Sequence, residues 1–192
     1  MRIWERSQLT AFMNQTAVKN SKVVLHGFLD YLEWIWYTGI AIILALLVRT
    51  FLFQPVPLSG PSMLPTFHQG DWVVINKWVY TFRPPKRGEV VIFYGPNQRI
   101  YIKRVVAVGG DTIEADQGNV YVNRHRINES YLTSTYTSYF FKRKVPWGKL
   151  FVMGDNRLNS MDSRDFGPIS VNQVIGRADL VIWPVRDIKW IN

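Results

Sequence analysis

A run of twenty residues from Trp34 to Phe53 constrains this chain more strongly than any other feature of its sequence. It reads WIWYTGIAIILALLVRTFLF and carries a single charge, on Arg49 near its end. A helix of about 20 apolar residues is long enough to cross a bilayer, and an arginine side chain near a helix end can reach the lipid headgroups. The run therefore predicts one N-terminal transmembrane helix at 34–53, with a buried core helix as the alternative.

The charges on either side of this run predict how the chain is oriented. Lys19 and Lys22 precede the run, whereas Arg49 is followed by no Lys or Arg until Lys77. Only charges close to the membrane count toward the positive-inside rule. The sequence therefore predicts a cytoplasmic segment at 1–33 and a domain at 54–192 on the extracytoplasmic side of a plasma or thylakoid membrane.

Residues 54–192 have the composition of β-strands separated by turns. Turn-forming segments such as PPKRG, YGPNQ and VGGDT separate short runs that are rich in Val, Ile, Tyr and Trp. These runs are DWVVINKWVY, GEVVIFY, IYIKRVVAV, NVYVN, KLFVMG and RADLVIWPV. We therefore predict a mainly antiparallel β domain, with a small subdomain at about 111–145.

Composition excludes several kinds of site. The chain has no cysteine, which excludes a thiol nucleophile, a cysteine-based zinc site and a disulfide. Its three histidines argue against a histidine-rich metal site, and we predict no metal or cofactor. A formal charge of +9 suits either nucleic acid or an anionic membrane. The apolar run favours the lipid bilayer as partner, and the lack of a helix-turn-helix pattern argues against nucleic acid. No oligomeric state is predicted.

Two residues indicate serine chemistry. Ser62 lies in LSGPSMLPTF, where Gly60 and Pro61 keep it out of a helix or a central strand. Lys103 lies in the apolar strand IYIKRVVAV, and burial lowers the pKa of a lysine toward that of a neutral amine. A neutral lysine can take the proton of a serine hydroxyl. From the residues alone, two alternatives stay open: a purely structural lysine, and His68 as the base.

Four segments, in this order behind one apolar run, resemble the successive motifs of bacterial-type signal peptidase I: SGPSMLPTFHQGD, RGEVVIFYGP, YIKRVVAVGGDTIE and GDNRLNSMDSRDFG. RADLVIWP resembles a closing strand. Members of this family are membrane-anchored serine endopeptidases that remove signal peptides from exported preproteins. The resemblance implies the antiparallel β catalytic domain of signal peptidases and self-cleaving repressors. It also implies preproteins as partners, cleaved after the small-x-small sites at which signal peptides end.

Carried over by position, the resemblance implies a catalytic role for several residues. Ser62 corresponds to the nucleophile and Lys103 to the general base. Ser160 corresponds to a serine that hydrogen-bonds the lysine amine and holds it toward the nucleophile. Four residues correspond to a supporting network of ion pairs and hydrogen bonds, in which Asp155 is the expected acceptor for Arg104: Arg104, Asp155, Asp162 and Arg164.

The resemblance also implies which residues meet the substrate. Met63 corresponds to a methionine packed beside the nucleophile, and three further residues are expected to line shallow apolar pockets: Leu58, Tyr101 and Ile102. Some members carry a serine at the position of Gly60, and its hydroxyl helps to hold the oxyanion. Here we expect backbone N–H groups, that of Ser62 first, or a donor that the sequence does not identify to do so, with Gly60 allowing a close approach of the backbone.

A membrane-tethered module that binds a lipid surface or a polyanion without catalysis is the alternative function. The basic run Lys142–Lys144 and five tryptophans would supply its surface: Trp72, Trp78, Trp147, Trp183 and Trp190. Tryptophans in a β domain are more often buried, and a charge run is usually a solvated loop tip. A self-cleaving Ser-Lys repressor is a third possibility, against which the apolar run argues.

Overall fold

The computed structural model describes residues 31, 33–47, 53–132 and 136–191. The chain divides into two compact units, Met1–Val48 and Arg49–Asn192. In the first unit, residues 33–47 form helix α1, on which apolar side chains such as Trp34 and Leu44 are exposed. Within the described ranges, no helix has the length and hydropathy that crossing a bilayer requires.

Parts of the predicted N-terminal architecture lie outside the described residues. These are residues 1–30 and 32 of the predicted cytoplasmic segment and residues 48–52 of the predicted span. Phe53, which the sequence places in that span, instead begins strand β1, Phe53–Pro57. A residue that precedes a proline favours extended backbone, so the sequence FQPVP forms a strand rather than a helix end. This strand lies at the edge of its sheet, where prolines are tolerated.

The second unit is built on antiparallel strands, which confirms the prediction of a mainly β fold. Two short helices, α2 and α3, lie between the strands and span Val79–Phe82 and Ser163–Phe166. The strands after β1 are Trp72–Asn76 (β2), Val90–Tyr94 (β3), Ile100–Val108 (β4), Thr112–Asp116 (β5), Asn119–Val122 (β6), His125–Arg126 (β7), Phe140–Lys144 (β8), Lys149–Met153 (β9), Ile169–Ser170 (β10), Val174–Trp183 (β11) and Lys189–Trp190 (β12).

The larger sheet has the order β1-β2-β11-β3-β4-β9-β10, with β12 paired to β11. Strand β3 lies inside this sheet and is buried on both faces. Val90 and Ile92 belong to one core cluster, while Val91 and Phe93 belong to another. A strand with apolar residues on both faces reads as a continuous apolar run, as VVIF does. The sheet therefore has a core on each side.

The smaller sheet has the order β7-β6-β5-β8 and takes all its strands from residues between 112 and 144. Its inward side chains alternate along β5 and β6, as expected for a sheet with one buried face. Phe140 of this sheet stacks on Phe151 of β9, with ring centroids 5.7 Å apart. Because Phe151 and Met153 belong to the same core cluster as the inward residues, the two sheets share one core.

Candidate active site

The turn that carries Ser62 is anchored in the core by its own neighbours. Met63 and Phe67 are both buried, and the N–H of Phe67 donates to the carbonyl of Met63 at 3.0 Å. The loop is closed at its base by two backbone bonds that involve Leu58, to Gly70 and Asp71. This packing leaves the half-buried Ser62 on a fixed turn between β1 and β2, outside regular secondary structure as the sequence predicts.

Lys103 of β4 reaches this serine. Its Nζ donates to Ser62 Oγ at 2.7 Å and to the carbonyl of Ile102 at 3.0 Å. The residue is only 3% exposed. Burial, opposed by the charges of Asp162 and Asp155, lowers the pKa of Lys103 from 10.5 to about 8. The geometry therefore couples a serine hydroxyl to an amine that is readily deprotonated.

Arg104 and Asp155 form a buried ion pair next to this couple. Their side chains are 3% and 0% exposed, and the guanidinium grips both carboxylate oxygens, Nε to Oδ1 at 2.9 Å and Nη2 to Oδ2 at 2.7 Å. Asp155 is thus the acceptor expected for Arg104. The hydroxyl of Thr66, on the turn of Ser62, also donates to Asp155. The network therefore joins β4 and the segment after β9 to that turn.

Asp162 and Arg164 form a second bidentate salt bridge. Arg164 Nε and Nη2 each donate to Asp162 at 2.9 Å, and the N–H of Gly154 donates to Asp162 Oδ2 at 3.0 Å. Burial would raise the pKa of the Asp162 carboxyl, but the bonds from Arg164 and Gly154 hold it below its usual value. Asp162 also caps the N-terminus of α3 through a capping box with Asp165. Asp162 is therefore a charged anchor for the loop.

Ser160 is oriented differently from the expectation. Its hydroxyl donates to Asp162 Oδ2 at 2.8 Å, and no hydrogen bond among the described residues joins it to Lys103. The carboxylate is the stronger acceptor for a hydroxyl donor, which accounts for this orientation. A Cβ at Gly154 would overlap both the Ser160 side chain and the carbonyl of Ser62. Glycine at 154 is therefore what allows Ser160 to lie this close to the Ser62 turn.

Gly60 meets a different need from the one expected. Its φ is +93°, in the region that favours glycine, whereas a Cβ built there would meet nothing within 4 Å. The backbone conformation, and not a close approach of the chain, therefore requires glycine at this position.

Asn156 also contacts the Ser62 turn, although the sequence did not identify it. Its backbone N–H donates to the carbonyl of Ser62 at 3.0 Å, and its side-chain Nδ2 donates to the carbonyl of Pro61 at 3.1 Å. Thr66 was missed in the same way. Both lie inside the quoted motifs, SGPSMLPTFHQGD and GDNRLNSMDSRDFG, and that position was the available signal.

A cleft of about 450 Å³ opens beside Ser62 and Lys103. Of the expected substrate-binding residues, Leu58, Tyr101 and Ile102 line it. Met63 does not; it is 2% exposed and belongs to the core cluster under the turn. The side chain of Met63 packs in the core under the turn, whereas the adjacent half-buried Ser62 lines the cleft.

The remaining candidates lie away from the cleft. His68 is exposed, its backbone N–H donates to Asp71, and no hydrogen bond in the described part of the chain joins its ring to Ser62. The five tryptophans expected to be mostly buried are between 40% and 83% exposed. The basic run Lys142–Lys144 is exposed as well, but it lies in strand β8 and not at a loop tip.

Comparisons with known proteins identify the family. The family model described as signal peptidase, peptidase S26, matches residues 31–183. Signal peptidase I T of Bacillus subtilis (strain 168) is 40% identical over 171 residues, which cover 83% of this chain and 89% of that protein. A signal peptidase I of Bacillus amyloliquefaciens is 41% identical with the same coverage, and one of Leptolyngbya laminosa is 34% identical, covering 81% of each chain.

A crystal structure of a signal peptidase I from Enterococcus faecalis V583 aligns at 31% identity with a TM-score of 0.46, covering 50% of this chain and 97% of that one. The family assignment rests on the family model and the curated relatives, which extend over most of the chain. They confirm what the four ordered motifs predicted: this chain belongs to the signal peptidase I family.

Proposed function

We propose that this chain is a membrane-anchored serine endopeptidase that removes N-terminal signal peptides from exported preproteins after small-x-small sites. In this proposal Ser62 is the nucleophile and Lys103 is the general base. The observation that carries it is the 2.7 Å hydrogen bond between Lys103 Nζ and Ser62 Oγ, made by a lysine whose pKa burial lowers to about 8. Membership of the signal peptidase I family supports it independently.

The chemistry follows from this couple. Lys103 takes the proton of the Ser62 hydroxyl as the oxygen attacks the scissile carbonyl, and backbone N–H groups hold the oxyanion. The resulting ammonium gives its proton to the leaving amine. The neutral lysine then takes a proton from water as the water oxygen attacks the acyl-enzyme ester. When the ester C–O bond breaks, the ammonium returns this proton to Ser62 Oγ, which restores the serine hydroxyl and the neutral lysine. A base with a pKa near the working pH serves both steps, since it must gain and lose a proton in each cycle.

An unpaired edge of β4 supports binding of an extended substrate. Residues 100–104 pair with β3 on one side, whereas β9 pairs with β4 only from Arg104 onward. Among the strand pairings of the described residues, Ile100–Lys103 therefore have one free edge, and this segment lines the cleft. A peptide can add to such an edge through main-chain hydrogen bonds while side-chain pockets select small residues. Leu58, Tyr101 and Ile102 would form these pockets.

Membrane anchoring rests on the apolar run that begins at Trp34. Its first part forms α1 at 33–47, with apolar side chains exposed, as expected of a helix whose surroundings are lipid. Lys19 and Lys22 give the N-terminal side of the run more positive charge than the C-terminal side. This supports a cytoplasmic N-terminus and an extracytoplasmic β domain. Exported preproteins present their cleavage sites on that side.

A membrane-tethered binding module is the second candidate, because the five tryptophans and the basic run Lys142–Lys144 are exposed. Aromatic and basic side chains together suit an anionic lipid surface. This candidate requires no catalysis, so loss of cleavage on mutation of Ser62 separates the two.

The test is cleavage of a purified preprotein with a small-x-small site by the full chain in detergent. The parent, Ser62→Ala and Lys103→Met are compared over a series of pH values. We expect both variants to be inactive and the parent rate to rise with pH through an apparent pKa of about 8, because only the neutral amine acts as base. A Lys103→Met variant as fast as the parent would contradict the assigned base, and a folded parent that never cleaves would favour the binding module.

A further inference from the structure

We propose that Asn156 is a positioning residue for the oxyanion hole, which aims the backbone N–H of Ser62 into the cleft. The inference rests on the proposed function, in which that N–H holds the oxyanion. Asn156 donates two hydrogen bonds to the Ser62 turn, from Nδ2 to the carbonyl of Pro61 at 3.1 Å and from its backbone N–H to the carbonyl of Ser62 at 3.0 Å. One residue thereby holds the peptide groups on both sides of the serine.

The bond to Pro61 helps to fix the direction of the oxyanion donor, together with the backbone N–H of Leu64, which donates to the same carbonyl at 3.2 Å. The carbonyl of Pro61 and the N–H of Ser62 belong to one planar trans peptide group, in which they point to opposite sides. Pro61 and Ser62 line the cleft, whereas Asn156 is not among its lining residues. The carbonyl is therefore held on the side away from the cleft, and the N–H faces it. A hydrogen bond to the carbonyl also polarises the peptide group and strengthens its N–H as a donor.

This N–H is particularly important in this chain because of Gly60. Glycine has no hydroxyl to offer at that position, so the oxyanion depends on backbone donors. In the described part of the chain no hydrogen bond engages the N–H of Ser62, which leaves it available to a developing oxyanion. Donors that are already oriented need no reorganisation during the reaction. An anchor for the Pro61–Ser62 peptide supplies that orientation.

Asn156 is itself held between two buried ion pairs. Asp155 pairs with Arg104, and Arg157 pairs with Glu129, in each case with both side chains less than 10% exposed. Arg157 Nε also donates to the carbonyl of Gly154 at 3.0 Å. These contacts fix the segment on both sides of Asn156. Its amide therefore acts from a rigid support, as positioning residues require.

The test compares Asn156→Ala and Asn156→Asp with the parent, using the full chain in detergent and the preprotein assay. Both variants keep the backbone N–H and lose the Nδ2 donor. Asn119→Ala is the matched control, because Asn119 Nδ2 donates to the carbonyl of Gln117 at the same 3.1 Å, in the small sheet. We expect kcat to fall about tenfold with KM unchanged, less than the 10²–10³ typical of losing a donor outright. In Asn156→Ala the apparent pKa of the pH profile should stay that of the parent, because this substitution changes neither Lys103 nor any charge near it.

A peptide aldehyde that ends in a small-x-small sequence gives a second readout. Ser62 Oγ adds to its carbonyl carbon while Lys103 takes the hydroxyl proton, the C=O π pair moves to oxygen, and this oxygen occupies the oxyanion site. We expect its affinity to fall by the same factor as kcat in both Asn156 variants, while the affinity of an uncleavable peptide stays constant. A merely structural role would weaken both ligands and lower the melting temperature.

Three results would overturn the inference: an unchanged kcat, a loss confined to KM, or a shifted apparent pKa in both variants. An equal loss in Asn119→Ala would overturn it too, and Asn156→Asp decides the matter should Asn156→Ala fail to fold. Failure of the proposed function looks different, since there the parent does not cleave or Ser62→Ala cleaves as well as the parent.

Discussion

Opposing effects act on the amine of Lys103. Burial disfavours the ammonium, while the charges of Asp162 and Asp155 favour it. Each carboxylate, however, already forms a salt bridge with an arginine. Asp155 pairs with Arg104, and Asp162 pairs with Arg164. An ion pair attracts a third charge less than a lone carboxylate does, because the arginine cancels much of its field. Burial therefore dominates, and the pKa of Lys103 falls to about 8.

The lowered pKa predicts that Lys103 reduces the stability of the fold. Below about pH 8 the lysine is charged in both states, and burial of the charge costs up to about 3 kcal/mol. Between about pH 8 and 10.5 the folded state has lost a proton that the unfolded state still binds, so stability rises with pH in this window. We expect Lys103→Met to be more stable than the parent at about pH 7, by an amount that shrinks toward about pH 10. Urea unfolding of the parent and of Lys103→Met in detergent, over this pH range, measures the difference in stability.

The exposed Lys189 of β12 provides the control, since Lys189→Met removes a lysine whose charge is not buried. A Lys103→Met variant that is equally or less stable than the parent at about pH 7 would contradict the burial argument.

At the same scale, the sequence predicted which residues lie close together better than it predicted how their side chains are oriented. The burial of Lys103 follows from an apolar strand, and its pairing with Ser62 agrees with the motifs. The contacts of Thr66 and Asn156 could not be predicted, because they join residues 89 and 95 positions apart. The direction of the Ser160 hydroxyl depends on which of two nearby partners is the better acceptor, which a motif does not encode.

At the scale of elements, the Ser62–Lys103 pair depends on how β4 divides its pairing between β3 and β9. Its first half lines the cleft, and its second half pairs with β9, which ends just before Gly154 and Asp155. The Arg104–Asp155 pair lies at this change of partner and also bonds Thr66 on the serine turn. One buried pair thus connects three elements of the site.

We predict that Asp155→Asn lowers the free energy of unfolding by about 3–5 kcal/mol, because it removes the carboxylate opposite a buried guanidinium. Asp187→Asn is the control, since the Arg186–Asp187 pair is 3.6 Å long with side chains 85% and 41% exposed. Exposed pairs contribute about 0–1 kcal/mol. Urea titration of both variants in detergent gives the difference, and equal small losses would show that the buried pair does not stabilise the site.

Local sequence patterns predict structure less well at the boundaries of elements and at exposed faces. Phe53 continues an apolar run by composition, but the prolines of FQPVP set an extended backbone and place it in β1. Large aromatic residues are usually buried, yet three tryptophans of this unit are exposed: Trp72, Trp147 and Trp183. Alternation along a strand predicts which residues share a face, but whether that face is covered depends on elements distant in sequence.

At the scale of the whole molecule, Arg157 ties the segment between β7 and β8 of the small sheet to the candidate site. Its guanidinium donates to the carbonyl of Gly154 at 3.0 Å, to the hydroxyl of Thr137 at 2.8 Å and to the carboxylate of Glu129. The side chains of Arg157 and Glu129 are 1% and 8% exposed. The antiparallel β architecture could be predicted from strand composition, but this link could not, because it depends on how the two sheets dock.

We predict that Glu129→Gln weakens both the fold and the proposed reaction. Removing the carboxylate leaves the buried Arg157 guanidinium without its charge partner, which costs about 3–5 kcal/mol. Because Arg157 also holds Gly154, we expect amides of the small sheet and of residues 154–157 to lose hydrogen-exchange protection together, and kcat to fall with them. Glu114→Gln in β5 of the same sheet is the control, since Glu114 makes no salt bridge among the described residues. Exchange that increases in the small sheet alone, with kcat unchanged, would mean that the small sheet does not support the Ser62–Lys103 couple.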